Sequence, residues 1–299
     1  MSVWTEKYRP ARLADIKGHK RIKQLFERAV SVGCIGFPPV ILYGPPGTGK
    51  TSIALALANE AYPEISSTIS TLYLNASDER SIEVIRERIL QFTQTGWPGV
   101  TRKFVIFDEV ETMTEPAQAS LRALLDDVDR EGHRNAPLFL FLCNSLYRVH
   151  PAIRSRCVAL FCGHVPIACV RETLIGIQKA EGIEDVKIPS EITFKIQRGD
   201  LRSFVSAIQF GKDLNPWDEW FERLGTATAE RSVYVWEDGL LRAPFCVLIR
   251  HVFLWMNTQG LLDKPAAAAF VDVCMAVQDA PMNTILTVIP PAWETMLEK

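Results

Sequence analysis

Residues 38–62 read PPVILYGPPGTGKTSIALALANEAY, and this stretch decides the fold. A short apolar run precedes a loop rich in glycine and proline, and a helical pattern with apolar residues at Ile53, Leu55, Leu57 and Ala58 follows it. A buried strand that leads through a glycine-rich loop into a helix is the setting in which a phosphate-binding loop works. The stretch therefore predicts an α/β domain that binds a nucleotide.

The loop GPPGTGKT at residues 44–51 fits the pattern Gly-x4-Gly-Lys-Thr. Its glycines let successive backbone N–H groups converge on an anion, and the following helix directs its positive N-terminus to the same point. Lys50 supplies a positive charge to the phosphates, and the Thr51 hydroxyl is a ligand for Mg²⁺. We expect the Lys50 side chain to be partly exposed, so that removing it abolishes nucleotide binding and leaves stability unchanged. The predicted nucleotide contacts along this segment are Gly44, Pro45, Pro46, Gly47, Thr48, Gly49, Lys50, Thr51 and Ser52.

Further strands and helices alternate after this unit. Predicted strands lie within residues 38–43, 70–76, 103–109 and 136–145, and predicted helices lie within 77–92, 115–128 and, as a short helix or turn, 150–157. Strands that alternate with helices predict a doubly wound, mainly parallel sheet.

Polar residues end two of the apolar strands. Asp108 and Glu109 end FVIFDE, where Asp108 can hold Mg²⁺ through water and Glu109 can orient or deprotonate the attacking water. Asn144 ends LFLFLCN, where an amide can sense the γ-phosphate, although an asparagine at a strand end is also a common turn former. The sequence therefore predicts hydrolysis as well as binding, with Thr51 and Asp108 as the metal-binding pair.

Helical patterns replace the strands after residue 162. Residues 166–183, 189–197 and 199–211 predict three short helices, which we interpret as a small lid, and the stretch from 212 onward predicts a separate helical domain that holds five of the seven tryptophans. The predicted domains are thus an α/β nucleotide-binding domain at 1–162, a helical lid at 163–211 and an all-helical domain at 212–299.

Composition excludes several classes of protein. The chain is 47% hydrophobic and 23% charged, as in a soluble globular protein, and no apolar run approaches the ~20 residues of a membrane span. The N-terminus lacks the apolar core of a signal peptide, which predicts a nuclear location in a eukaryote and a cytoplasmic one otherwise. The net charge of −2 combines a basic segment at 1–30 with an acidic one at 212–299, so only the first suits phosphate.

These motifs together resemble the small subunits of replication factor C, the clamp loaders among the AAA+ ATPases. The resemblance covers about the first 210 residues and rests on WTEKYRP, GPPGTGKT, LNASDERSIEVIRERI, FDEVE, CNS, IRSRC and GDLRSFVSAIQ, in the family's order. It implies an AAA+ module, a helical lid and a C-terminal helical collar that joins subunits in a ring. It further implies an ATPase that acts mainly within a heteropentamer, with ATP and Mg²⁺, a ring-shaped sliding clamp and primer–template DNA as ligands and partners.

The resemblance also assigns roles to single residues. Asn144 corresponds to the first sensor, and Arg202, in GDLR, corresponds to a second sensor on the lid. Arg156, in SRC, corresponds to the arginine finger that enters the neighbouring subunit's site, so a lone subunit should hydrolyse ATP poorly. Residues implied beside the adenine are Thr5, Arg9 and Lys17, and those implied to contact DNA phosphates are Arg80, Arg86 and Arg148.

The chain departs from the family at three places. It has DEVE where DEAD is typical, Ala123 after Arg122 where two adjacent arginines are usual, and Ser81 where glycine is usual. Two other hypotheses stay open: a ring member that binds ATP without hydrolysing it and lends Arg156 to a neighbour, and another AAA+ motor that acts on DNA.

Overall fold

The structure is a computed structural model. It describes residues 3–76, 82–130, 136–185, 187–226, 235–236, 238–240, 243–263, 265–277 and 280–298. Within these ranges no helix is both long and apolar enough to cross a bilayer. The contacts divide the chain into two compact units, one of residues 1–173 and 200–206 and the other of residues 174–199 and 207–299. The predicted three-domain division stays a prediction beside this two-unit division.

The first unit contains a parallel sheet. Its strands are β1 (Val40–Tyr43), β2 (Thr71–Asn75), β3 (Phe104–Asp108), β4 (Leu138–Cys143) and β5 (Val158–Phe161), in the spatial order β2-β3-β4-β1-β5. Every pairing is parallel, and the register sets Tyr43 opposite Cys143 and Asn75 opposite Asp108. The predicted fold class and four of the strands are confirmed.

The fifth strand was missed by the sequence-based prediction. β5 lies at the edge of the sheet, beside β1, and three of its four residues are exposed. Its four residues are too few and too exposed to give the long apolar run that identifies a buried strand. Its backbone nevertheless matters to the site, because it continues into Cys162 beside the phosphate-binding loop.

Helices cover both faces of the sheet. The first unit contains α1 (Trp4–Lys7), α2 (Lys20–Ser31), α3 (Lys50–Ala61), α4 (Ser67–Ser70), α5 (Ile82–Gln94), α6 (Glu115–Arg130) and α7 (Pro151–Arg154). α2 and α3 pack on the face that carries Ile106, and α5 and α6 pack on the face that carries Phe107. Each buried strand therefore has apolar side chains on both faces, as parallel sheets require.

The remaining helices run from residue 167 to the C-terminus. They are α8 (Ile167–Ala180), α9 (Glu191–Ile196), α10 (Leu201–Gln209), α11 (Asp218–Thr226), α12 (Phe245–Thr258), α13 (Pro265–Ala276) and α14 (Met282–Glu298). The helices predicted from the sequence at 166–183, 189–197 and 199–211 are thereby confirmed, and the helices described after residue 212 agree with the helical pattern predicted there. α14 was not predicted, because Pro290 and Pro291 interrupt its pattern although the helix continues through them.

Candidate nucleotide site

The phosphate-binding loop connects β1 to α3 and has a conformation that its glycines make possible. Gly44 has φ +147°, and a Cβ there would lie 2.1 Å from the Cys162 carbonyl oxygen. Gly47 has φ +70°, and a Cβ there would lie 1.6 Å from Asp200 Oδ1. The Asp200 carboxylate also caps α10 by accepting from the backbone N–H of Ser203 at 3.2 Å. The loop thus fits closely between β5 and the start of the helix that carries Arg202.

Lys50 lies inside this loop. Its ammonium group donates to the carbonyl oxygens of Gly44 and Pro45 at 2.8 Å each, and to Asn144 Oδ1 at 2.9 Å. These three acceptors use all three ammonium donors. The residue is only 9% exposed, so the expectation of a partly exposed side chain is wrong. Burial lowers the Lys50 pKa, and the neighbouring thiols and carboxylates oppose that shift.

The carboxylate of Asp108 meets three donors at the end of β3. Its Oδ2 accepts from the Thr51 hydroxyl at 2.9 Å and from the Tyr73 hydroxyl at 2.5 Å, while Oδ1 accepts from the Glu109 backbone N–H at 2.9 Å. A hydroxyl that donates its single hydrogen to a carboxylate keeps both lone pairs for another ligand. Thr51 and Asp108 therefore offer the hard oxygen atoms that suit Mg²⁺.

Glu109 has an unusual backbone conformation. Its φ is +55°, in the left-handed region that costs a residue other than glycine about 1–3 kcal/mol. Such strain collects at functional positions because the surrounding structure must enforce it. The carbonyl of Glu109 accepts from the Thr112 hydroxyl at 2.8 Å, which helps to hold this turn, and the side chain is exposed toward the cleft.

One cleft brings half of the predicted site residues together. Ten predicted residues line it, and Glu111 and Cys143 join them without having been predicted. The predicted members are Pro46, Gly47, Gly49, Lys50, Thr51, Ser52, Asp108, Glu109, Asn144 and Arg202. Two cationic side chains thus share a cleft with three carboxylates, a balance that suits a phosphate ligand accompanied by a divalent cation.

The three residues expected beside adenine do not line this cleft. Thr5 lies in the short helix α1, and Arg9 forms an ion pair with Glu6 one turn away. Lys17 donates to Glu172 at 2.7 Å, and this bond raises the Lys17 pKa. Their adenine role remains a prediction.

Arg156 lies outside the cleft as well. Its Nε donates to Asp126 Oδ1 at 2.5 Å, and its Nη1 donates to the carbonyl oxygen of Ala152 at 3.1 Å. Asp126 Oδ2 accepts from Arg122 at 3.3 Å, so one carboxylate joins α6 to the end of α7. The two arginines, Arg156 first, lower the Asp126 pKa. The assignment of Arg156 to a neighbouring subunit's site remains a prediction.

The three candidate DNA contacts differ in what the structure describes. Arg86 is exposed on α5, and Arg148 is exposed in the turn after Asn144. Arg80 lies outside the described residues, as does the rest of the segment 77–81 at which its predicted helix begins. Their DNA role remains a prediction.

Sequence reasoning missed several side chains that organise the cleft. Glu111 Oε1 accepts from the Asn144 backbone N–H at 2.6 Å, and its buried Oε2 has no hydrogen-bond partner in the described part of the chain. His19 Nε2 donates to the Thr48 carbonyl at 2.9 Å, and burial lowers its pKa. Gln118 is 3% exposed, donates to the Met113 and Arg148 carbonyls and accepts from the His150 N–H. Apart from the Gln118–Met113 bond, each of these contacts joins residues about 30 positions apart, so no local sequence pattern predicts it.

Comparison with known proteins relates this sequence to a family of ATPases. Residues 40–162 match the model of the AAA family, ATPases associated with various cellular activities. Replication factor C small subunit 1 of Pyrobaculum islandicum is 36% identical over 71% of this chain and 62% of its own length. Residues 40–162 are therefore an AAA domain, and the chain is homologous to the replication factor C small subunits over about 70% of its length.

Two further relatives extend this result beyond one genus. The replication factor C small subunit of Methanocella arvoryzae is 35% identical over 69% of this chain and 62% of its own length. Replication factor C subunit 3 of Oryza sativa subsp. japonica is 34% identical over 69% of this chain and 56% of its own length. The replication factor C homologue therefore spans about three fifths of the length of the curated relatives it matches.

One solved structure supports the assignment of the fold, and only of the fold. The RuvB Holliday junction branch migration motor of Thermotoga maritima superposes with a TM-score of 0.50 and 15% identity, covering 96% of this replication factor C homologue and 90% of its own chain. At this identity the likeness concerns the AAA+ fold alone.

Proposed function

We propose that this chain is an ATP-hydrolysing subunit of a clamp loader, a ring that opens a sliding clamp and places it on primer–template DNA. The observation that carries the proposal is the cleft in which Lys50, Asp108 and Glu109 meet at the ends of parallel strands. The relation to replication factor C small subunits supports the choice of a clamp loader among AAA+ machines.

The proposed site divides the work among its residues. Lys50 and the N-terminus of α3 bind the phosphates of ATP, and Arg202 approaches the terminal phosphate from α10. Thr51 and Asp108 hold Mg²⁺, which when bound neutralises charge on the β- and γ-phosphates. Glu109 orients the attacking water and accepts its proton, and the amide of Asn144 fixes the Lys50 ammonium beside the phosphates.

In the proposed ring, each ATP site is completed by an arginine from the adjacent subunit. Arg156 pairs with Asp126 outside its own cleft, and we assign it to the neighbour's ATP as an arginine finger. Such a residue accelerates hydrolysis by ~10³–10⁵ in other NTPases. Residues 163–211 would then form the lid and residues 212–299 the collar of a five-membered ring of the replication factor C type. Arg80, Arg86 and Arg148 would contact the DNA phosphates without reading bases, since a loader must act at any sequence. A nuclear or cytoplasmic location follows from this role.

Replacing Glu109 with glutamine separates catalysis from scaffolding. The change keeps the shape of the side chain and removes its basicity, so ATP should still bind while turnover by the assembled complex falls. Glu115→Gln, at an exposed position that begins α6, is the matched control. If Glu109→Gln left turnover of the assembly unchanged, this subunit would be an ATP-binding scaffold instead.

A further inference from the structure

Tyr73 contacts the site from a strand that carries none of the assigned residues. It lies on β2 opposite Ile106 of β3, and Asn75 lies opposite Asp108. Side chains two residues apart on a strand share a face of the sheet. Tyr73 and Asp108 are therefore diagonal neighbours on one face, within reach of a long aromatic side chain.

The Tyr73 hydroxyl donates to Asp108 Oδ2 at 2.5 Å. Tyr73 is 42% exposed and does not itself line the cleft, whereas its partner Asp108 does. A hydrogen bond to an ionised acceptor is roughly twice as strong as one between neutral groups. This bond therefore restrains the rotation of the Asp108 carboxylate much more than a neutral contact would.

The hydrogen-bond donors around Asp108 leave one acceptor position of its carboxylate for a ligand. A carboxylate has about four lone-pair positions. Tyr73 and Thr51 use those of Oδ2, and the Glu109 N–H uses one of Oδ1. Three donors from three separate elements thus fix the carboxylate and leave one acceptor position for water on a bound cation.

We infer that Tyr73 is a positioning residue for the divalent cation, acting through its hydrogen bond to Asp108. The inference rests on the proposed function, since it assumes that Asp108 and Thr51 hold Mg²⁺ beside ATP. Hydrogen-bond partners of metal ligands typically contribute 10–100-fold to metal affinity. Because two other donors still hold Asp108, we expect the loss of the Tyr73 hydroxyl to lie at the lower end, about 10-fold.

The test uses Tyr73→Phe, which removes the hydroxyl and keeps the ring. The affinity of the full chain for a fluorescent ATP analogue is measured with Mg²⁺ and again with EDTA, and the ratio of the two affinities is compared. Tyr147→Phe is the matched control, because Tyr147 is 91% exposed. We expect Tyr73→Phe to reduce the ratio about 10-fold with little change in the EDTA value, and Tyr147→Phe to change neither.

The outcomes separate this inference from the proposal beneath it. If Mg²⁺ increases the nucleotide affinity of the wild type and of Tyr73→Phe by the same factor, the inference is wrong, and the assignment of the metal site to Thr51 and Asp108 stands. If both affinities of Tyr73→Phe fall by the same factor, Tyr73 supports the fold of the site rather than the cation, which also overturns the inference. If the wild-type chain itself binds the analogue equally well with and without Mg²⁺, the assignment of Thr51 and Asp108 fails, and the inference fails with it.

Discussion

The two compact units of this chain use their side chains in different ways. In the first unit, loops at the ends of parallel strands bring Lys50 to Asn144 and Thr51 to Asp108, each pair within hydrogen-bond distance. In the second unit the largest side chains are buried against each other, with ring centroids of Trp236 and Trp293 6.0 Å apart. The first unit combines its apolar core with a polar cleft, whereas the second unit is organised around an apolar core rich in tryptophan.

This difference explains why only the first unit carries recognisable motifs. Phosphate binding needs particular residue types at fixed spacing, since backbone N–H groups, a charge and a hydroxyl must converge on one point. A helical core needs suitable volume and apolarity, which many sequences supply. The second unit thus keeps the periodicity of helices and five tryptophans but no signature of function.

The largest effect is expected at Lys50, which tests whether the polar cleft of the first unit also stabilises the fold. Lys50→Met should abolish nucleotide binding and, unlike a change at an exposed lysine, should also destabilise the chain. Three acceptors lose a charged donor, and bonds to charged groups contribute ~1.5–3 kcal/mol each at most sites. Nucleotide titration and chemical denaturation without nucleotide measure the two effects. Lys212→Met is the exposed control, and equal stability of the two variants would contradict the structural role of Lys50.

Arg156 tests whether the first unit contributes to a site beyond its own. Arg156→Ala should leave this chain's ATP affinity nearly unchanged and slow hydrolysis at the neighbouring site in the assembly by ~10³ or more. Stability should change little, because ion pairs near the surface, such as this half-buried one, typically contribute at most ~1 kcal/mol. Arg28→Ala, on the exposed surface of α2, is the control. Equal rates of ATP hydrolysis in the wild-type and Arg156→Ala assemblies would show that Arg156 is not the arginine finger of the neighbouring site.

Trp293 tests the other side of the comparison. It is fully buried among aromatic rings, and Trp293→Ala should lower the free energy of unfolding by ~3–5 kcal/mol. The nucleotide affinity of the molecules that remain folded should not change. Denaturant titration gives the first quantity and binding at low temperature the second. Trp97→Ala, at a position 49% exposed, should cost much less, and equal losses in the two variants would contradict the packing account.

The smallest expected effect concerns DNA. A triple variant in which alanine replaces Arg80, Arg86 and Arg148 should bind DNA more weakly in the assembly, by the same factor on unrelated DNA sequences. Each lost phosphate contact should lower the slope of log affinity against log salt by roughly 0.9. Replacing the exposed residues Lys179, Lys187 and Lys212 controls for net charge. If the slope of log affinity against log salt were the same in the arginine variant and the wild type, these residues would not contact DNA phosphates.

The sequence predicted the parts of the fold that repeat a local pattern. Apolar runs and helical spacing located β1 to β4 and most helices, whereas the exposed four-residue β5 and the proline-interrupted α14 gave too little pattern. In the site, Lys50, Thr51, Asp108 and Asn144 followed from motifs. The contacts of Tyr73 and Glu111 could not be predicted, because strand order and register, rather than local sequence, bring them to Asp108 and Asn144.

The most direct test of the central claim is the rate of ATP hydrolysis by the chain alone and by the complex that co-purifies with it, each with and without primer–template DNA. The account predicts slow hydrolysis by the isolated chain, because its own Arg156 pairs with Asp126 outside the cleft. It predicts much faster hydrolysis by the complex and a further increase on adding DNA. An isolated chain that hydrolyses ATP as fast as the complex, with no response to DNA, would contradict the account.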